Sequence, residues 1–153
     1  MGKLNTSYIA THDIDWFCKL KDAYLHVASA GGYLPQSVND MKSIMDNSVQ
    51  VSNLPIIGEH TRNTNLLKAL KGESIKNWDE YYQTFELFAE KGFYSLDRTM
   101  IGDVSSNIYH VVCIPSKRVE SLEISCASFE NVSIEDIPKD SSFDLIALLE
   151  QGN

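Results

Sequence analysis

The sequence predicts an α+β fold, in which a mainly antiparallel sheet packs against a central aromatic helix and two or three smaller helices. Residues 14–29 alternate as a hairpin does, residues 77–92 carry aromatic side chains at helical spacing, and residues 108–114 are apolar on both faces, as in a central strand. The sheet would combine the N-terminal hairpin with C-terminal strands. Because strand-like segments occur in adjacent pairs with short links, antiparallel pairing is favoured over a doubly wound parallel sheet.

Length and composition predict one globular domain over residues 1–153. The chain has 153 residues, of which 43% are hydrophobic, enough for a packed core. The first fifteen residues lack the apolar run of a signal peptide, and no segment approaches the roughly 18 apolar residues of a membrane helix. We therefore expect a cytoplasmic protein with no membrane contact. Cys18, Cys113 and Cys126 lie in apolar runs without Cys-x-x-Cys spacing, which predicts buried free thiols.

The N-terminal hairpin has a register that the pattern specifies. A two-residue turn at Lys21 and Asp22 places Cys18 opposite Leu25. One face of the hairpin then carries Ile14, Trp16, Cys18, Leu20, Ala23, Leu25 and Val27. The other face carries Asp15, Phe17, Lys19, Tyr24, His26 and Ala28. Since the first face is wholly apolar, this register is favoured over one shifted by a residue.

The helices are predicted from caps and periodicity. A helix capped by Ser37 is expected to end near Ser48, and leucines at 66, 67 and 70 indicate one or two turns ended by Gly72. The central helix begins after Asn77, an N-cap, and ends at Gly92. Its stripe consists of Trp78, Tyr81, Tyr82, Phe85, Phe88 and Ala89. Such a stripe at helical spacing is typical of a core-facing surface rather than a base-stacking one.

The second half of the chain supplies the remaining strands and a last helix. Residues 93–96 are expected to be extended, and residues 108–114 to form a central strand with Tyr109, Val111 and Cys113 on one face. Residues 120–126 alternate as a half-exposed strand does, and residues 129–134 could add another. A final helix is predicted over residues 143–151, capped by Ser141 or Ser142.

The charge is unevenly distributed along the chain, whose formal net charge is −8. Residues 1–76 hold eight Lys and Arg against seven Asp and Glu, whereas residues 77–153 hold five against fourteen. From Val119 onward there are eight acidic residues and one lysine. Such a surface repels phosphate backbones and attracts cations, so we expect a basic protein partner and no nucleic acid.

The hairpin face that carries Asp15 and His26 is one candidate site. The two residues are diagonal neighbours, close enough for the carboxylate to orient the imidazole. A metal site from His12, Asp13 and His26 is conceivable, but it lacks a dense ligand spacing such as H-E-x-x-H. We therefore expect neither a metal nor a cofactor. A solvated sheet face is the structural alternative to an active site.

Three further polar residues lie on strand-like segments in the second half of the chain. Asp97 and Arg98 could position a substrate or a phosphate, although adjacent residues of a strand point in opposite directions. A structural ion pair or a loop anchor is therefore favoured. His110 has apolar neighbours, which indicates a core histidine bonded to the backbone or a tyrosine, with an acid–base role as the alternative.

No nucleotide-binding loop, serine-hydrolase elbow or calcium loop occurs in the sequence. The leading hypothesis is a non-catalytic protein that acts through protein–protein contacts of its acidic C-terminal face, in an inhibitor or immunity-like role. One alternative is a small hydrolase or transferase that uses a His/Asp pair drawn from Asp15, His26, Asp97 and His110. A second alternative is a small-molecule binding domain with a pocket lined by tyrosine and tryptophan.

Overall fold

The computed structural model describes Lys3, residues 13–100, Asp103, residues 105–120 and residues 126–151. Within these residues, seven strands form one sheet and four α-helices pack around it. The strands are β1 Asp15–Leu20, β2 Tyr24–Ala28, β3 His60–Arg62, β4 Tyr94–Arg98, β5 Ile108–Pro115, β6 Ala127–Phe129 and β7 Phe143–Asp144. The helices are α1 Met41–Ser52, α2 Thr64–Lys71, α3 Trp78–Glu90 and α4 Leu145–Glu150, with short 3₁₀ turns at Gly72–Ser74 and Ile134–Asp136.

The fold is α+β, but the sheet is mixed, so the prediction of a mainly antiparallel sheet is wrong. The strand order is β3-β5-β4-β2-β1-β6, with β7 also pairing with β5. The pairs β2–β4 and β1–β6 are parallel. After β2 the chain passes through α1, α2 and α3 before it returns beside β2, and a long crossover of this kind allows parallel pairing. The sequence pattern reveals the strands joined by short links, but it does not show that β4 pairs with β2 after a long crossover.

The predicted register of the hairpin is confirmed. Cys18 pairs with Leu25 and Trp16 with Val27, and the Leu20 amide donates to the Ala23 carbonyl across the turn at 2.7 Å. All seven residues of the predicted apolar face belong to the largest core cluster. The alternation of apolar and polar residues therefore specifies this register even though the turn contains no glycine.

The central strand β5 is confirmed as apolar on both faces, but its predicted face assignment is wrong at Cys113. The pairing with β4 shifts between Ser95 and Leu96, so that Ser95 lies opposite Cys113 and Leu96 opposite Val111. A β-bulge of this kind inserts one extra residue and changes the face of every residue beyond it. Cys113 consequently packs with Val112 beneath α3, on the other side of the sheet from Val111.

Helices cover both faces of the sheet. On one face, the α3 residues Tyr82, Phe85 and Ala89 pack with Val112 and Cys113. On the other face, Leu145 and Leu149 of α4 join the core cluster that contains the apolar side of the hairpin. α1 contacts β1. The helices on the two faces thus exclude water from the strands between them.

The ends of three predicted elements differ from the structure. α1 begins at Met41 because residues 35–38 form a turn and the Asp40 side chain, rather than Ser37, accepts the Ser43 amide at 3.3 Å. α4 begins at Leu145, where Asp144 is the cap, since the preceding two residues pair with β5. The strand predicted over residues 120–126 falls mostly outside the described residues. The strand expected at 129–134 is instead β6, which ends at Phe129.

The central helix is confirmed, together with both of its ends. Asn77 Oδ1 accepts the Glu80 amide at 3.1 Å, which satisfies one of the free donors of the first turn. Gly92, just beyond the helix, has a φ of +100°, and a Cβ there would lie 2.5 Å from the Val119 amide nitrogen. Glycine is therefore required both by the left-handed conformation and by the close approach of another segment. No helix in the described part of the chain is long and apolar enough to cross a membrane.

The position of Phe85 predicts that α3 is the element most sensitive to truncation. Phe85 is 8% exposed within the α3 core cluster, so Phe85→Ala should lower the free energy of unfolding by about 3 to 5 kcal/mol. Leu87→Ala on the same helix is the matched control, because Leu87 is 43% exposed and its truncation should cost about 1 kcal/mol. Urea unfolding followed by circular dichroism measures both. Equal losses in the two variants would contradict this packing.

Candidate functional site

A chain of hydrogen bonds, buried at His26 and Ser95, links Asp15, His26 and Ser95 across three adjacent strands. In the pairing of β1, β2 and β4, Phe17 lies opposite His26 and His26 opposite Ser95. His26 Nε2 is 2.8 Å from Asp15 Oδ1, the contact that the hairpin register predicted, and His26 Nδ1 is 2.6 Å from Ser95 Oγ. A carboxylate, an imidazole and a hydroxyl in this order are the residue types of a serine hydrolase triad.

The exposure of the three residues is the reverse of what nucleophilic catalysis requires. His26 and Ser95 are both 0% exposed, while the Asp15 side chain is 42% exposed. His26 also stacks on Phe88 of α3, with ring centroids 3.9 Å apart. The hydroxyl that would attack a substrate therefore lies at the closed end, and the carboxylate that would orient the histidine lies at the surface. This arrangement ties three strands together rather than presenting a nucleophile.

The carboxylate of Asp15 opens into a cleft of about 220 Å³ between α1 and α3. The cleft is lined by Asp15, Phe17, Ser48, Ser52, Leu87, Phe88 and Lys91. The Lys91 ammonium donates to the carbonyls of Val51 and Ser52, at 2.9 and 3.1 Å, where it caps the C-terminus of α1. Burial lowers the pKa of Lys91. The lysine is thus held by the helix end rather than offered to a ligand.

Asp97 lies on the same face of the sheet, on β4, and fastens α3 to it. The carboxylate is 6% exposed and accepts from the Tyr81 hydroxyl at 2.7 Å and from the Arg98 amide at 2.9 Å. Burial raises the pKa of Asp97 above its ordinary value, and the hydrogen bond from Tyr81 opposes that rise. Burial and the neighbouring carboxylate together raise the pKa of Tyr81. The pair joins the helix to the sheet through a partly buried hydrogen bond.

Arg98 is a loop anchor, which is one of the two structural roles that the sequence favoured. Its side chain is on the opposite side of the strand from that of Asp97, so the two do not form a substrate clamp. Its guanidinium donates to the carbonyls of Ser29, Ala30, Met100 and Asp103. A Cβ at position 32 would lie 2.5 Å from Arg98 Cδ, so glycine is needed there. One buried cation thereby holds the loops that follow β2 and β4.

His110 is a core histidine, as the sequence favoured, although its partner is a threonine. It is 0% exposed, and its Nδ1 is 2.7 Å from Thr99 Oγ1. No described residue hydrogen-bonds its Nε2. Burial, and after it the charge of Lys71, lowers the pKa of His110 to about 3. Its imidazole is therefore neutral near pH 7, a state that suits a buried position and does not suit a general acid.

A network between β3 and α3 was missed by the sequence analysis. His60 contacts Glu86 through Nε2 and Glu90 through Nδ1, the latter at 3.0 Å. Arg62 forms two bonds of 3.1 Å to Glu86 and one of 2.9 Å to Asp79. The three-residue strand has no apolar period to reveal it. The spacing of Glu86 and Glu90, four residues apart on one helix face, was the available signal.

The polar groups do not assemble a metal site in the described residues. Both nitrogens of His26 are occupied by Asp15 and Ser95, and His12 lies outside the described part of the chain. The cysteines are free, as predicted, with Cys18 and Cys113 buried and Cys126 half-buried. Burial raises the pKa of Cys18 well above its ordinary value and that of Cys113 to about 12, so neither thiol is an activated nucleophile.

Comparison with models of known protein families, with curated proteins and with solved structures found no match to this chain. Its function has to be inferred from its own residues. Of the five candidates, Asp15 and His26 meet, Asp97 and His110 face each other across β4 and β5 but bond to other partners, and Arg98 lies apart.

The contacts of Arg98 predict a large effect from a charge-conserving substitution. In Arg98→Lys, a single ammonium cannot reach both loops, so several buried carbonyls lose their donor at about 1 kcal/mol each. We expect a loss of about 3 kcal/mol in the free energy of unfolding. Arg118→Lys, at an exposed arginine with only two long hydrogen bonds, is the control and should change stability by about 1 kcal/mol or less. Similar values for both variants in urea titrations would refute the anchor.

The lowered pKa of His110 predicts how stability depends on pH. In the unfolded chain His110 has its ordinary pKa of 6.5 and binds a proton below that pH. In the native protein its pKa is about 3, so the ring stays neutral until the pH falls that far. Stability contributed by the neutral ring is complete above 6.5 and falls as pH decreases, by up to about 1.4 kcal/mol per pH unit. Urea unfolding between pH 7 and 5 should show a smaller slope for His110→Gln than for the parent. Parallel slopes would contradict a buried neutral ring.

Proposed function

We propose that this protein is a binding protein that engages a basic protein partner through its acidic C-terminal segment. The observation that supports this best is the set of exposed carboxylates in residues 126–151, namely Glu130, Glu135, Asp136, Asp140, Asp144 and Glu150. The same segment has one basic residue, Lys139, and its ammonium donates inward to the carbonyls of Ile134 and Ile137 at 2.9 and 3.0 Å. The outward charge of the segment is therefore almost wholly negative.

This segment is held firmly against the sheet, so that its charges occupy fixed positions. Its apolar side chains belong to the main core cluster: Phe129, Val132, Ile134, Ile137, Leu145 and Leu149. Ser133 and the amide of Ile134 also bond to the two carboxylate oxygens of Asp22 on the hairpin turn, each at 2.8 Å. A partner that meets a preorganised surface loses less conformational entropy on binding than one that must first order a loop.

The charge of the proposed interface indicates which class of partner it would bind. A surface with one sign of charge attracts the opposite sign over about 10 Å at 0.1 M salt and accelerates association. A small acidic protein that recognises a basic one fits an inhibitor or immunity-like role, in which a cationic surface of the partner is covered. Such an interface depends strongly on ionic strength, and that dependence provides its test.

A hydrolase or transferase that uses Asp15 and His26 remains the second candidate. It is favoured by the 2.8 Å contact between these residues and by the cleft beside Asp15. Against it stands the burial of Ser95, the only hydroxyl bonded to the imidazole in the described residues. The neutral, buried His110 supplies no replacement base. We therefore prefer the binding role, because the catalytic role lacks an exposed hydroxyl beside His26.

Charge-neutralising variants test the binding role. Native lysate is passed over the immobilised protein at about 20 mM and about 300 mM salt. We expect a basic partner that is retained at low salt, released at high salt, and lost in the triple variant Glu130→Gln, Glu135→Gln, Glu150→Gln.

The control triple variant Glu59→Gln, Glu73→Gln, Glu80→Gln removes the same charge from exposed positions outside the segment and should retain the partner. Two results would overturn the proposal. One is the absence of any retained protein at low salt, and the other is an equal loss of the partner in both triple variants.

A further inference from the structure

A large cleft lies at one end of the sheet and is lined mainly by positively charged side chains. It has a volume of about 830 Å³ and lies between the β1–β2 turn and the segment that follows β5. The cationic residues on its wall are Lys19, Lys21, Lys117 and Arg118, and two carboxylates, Asp22 and Glu120, accompany them. A volume of this size is typical of small-molecule sites, which span roughly 300 to 1,000 Å³.

The cleft carries more positive than negative side chains, although the protein as a whole is acidic. The whole chain has a formal net charge of −8, yet the cleft carries four cations against two carboxylates. Asp22 keeps its negative charge, since its two oxygens accept from Ser133 Oγ and the Ile134 amide, each at 2.8 Å, and, despite the opposing effect of burial, these bonds lower its pKa. The four cations still exceed the two carboxylates among the lining residues. The cleft thus presents a positive potential to solvent, in contrast to the acidic segment of residues 126–151.

The wall that carries Lys117 and Arg118 is fixed by backbone contacts. The Ser116 amide donates to the Glu59 carbonyl at 3.0 Å, and the Val119 amide donates to the Gly92 carbonyl at 3.2 Å. Gly92 permits the second contact because any side chain there would collide with Val119. The two cations on this wall are therefore set on a segment that is anchored on both sides of them.

Arg118 is further oriented by contacts with Tyr94 of β4 and with Asp22 of the hairpin turn. Its Nε donates to the Tyr94 hydroxyl at 3.2 Å, and Nη1 lies 3.5 Å from the Asp22 carbonyl. Its guanidinium carbon is 5.8 Å from the centroid of the Tyr94 ring. A guanidinium has five N–H donors, and these two contacts use two of them. The remaining N–H donors of the planar guanidinium can bind two oxygens of one anion.

From the cleft, its four cations and its fixed wall, we propose that the protein binds a small phosphate-bearing molecule between the β1–β2 turn and the segment after β5. Lysine ammonium groups and an arginine fork are the side chains that recognise phosphate oxygens. A long nucleic acid would extend beyond the cleft and meet the acidic remainder of the surface, which repels it. The ligand class is therefore a compact phosphate ester. None of the lining residues belongs to the proposed protein-binding segment, which adjoins the cleft through Asp22.

Calorimetric titration with inorganic pyrophosphate and with inorganic phosphate tests this site in the full chain. We expect pyrophosphate to bind more tightly than phosphate, because it can contact cations on both walls. The double variant Lys21→Gln, Lys117→Gln removes one cation from each wall and should weaken pyrophosphate binding by about tenfold or more.

The control is Lys68→Gln, Lys76→Gln, which changes the net charge equally at exposed positions that do not line the cleft. It should change the dissociation constant by less than about twofold. The proposal is overturned by the absence of pyrophosphate binding or by equal weakening in both double variants. It is also overturned if a single-stranded oligonucleotide binds more tightly than pyrophosphate and requires the same two lysines.

Discussion

The structure depends on the contact between the aromatic face of α3 and a row of polar side chains on the sheet beneath it. Asp15, His26, Ser95 and Asp97 occupy neighbouring strands, and a helix that covered them without bonds would leave costly unpaired groups. Each is bonded instead, to another member of the row or to Tyr81 of α3. The stacking of His26 on Phe88 joins the polar row to the apolar stripe of the helix.

That arrangement explains why residues with catalytic chemistry need not be catalytic. The Asp15–His26–Ser95 chain has the contacts of a triad, but its serine is buried and its carboxylate is exposed. His110 is neutral for the same physical reason, since burial disfavours the charged ring. We propose that contacts with other molecules are made instead by exposed charges, those of the acidic segment 126–151 and of the positive cleft at one end of the sheet.

Local patterns in the sequence were sufficient for the hairpin register and for α3, because both follow from side-chain periodicity and capping. The contact of Asp15 with His26 followed from that register. The parallel pairing of β2 with β4 could not be predicted in the same way, since a crossover is specified by tertiary packing. The bulge at Ser95 and Leu96, the three-residue strand β3 and the positive cleft were missed because each arises only when distant segments meet.

We propose that the polar row of Asp15, His26, Ser95 and Asp97 fastens the fold and does not perform hydrolysis. The most direct measurement is to incubate the native protein with a fluorophosphonate, which labels activated serines, and to map adducts by peptide mass spectrometry. We expect no adduct on Ser95 and a lower free energy of unfolding for Ser95→Ala, since the substitution removes the partner of His26 Nδ1. Stoichiometric labelling of Ser95 in the folded protein, with Ser95→Ala as stable as the parent, would contradict it.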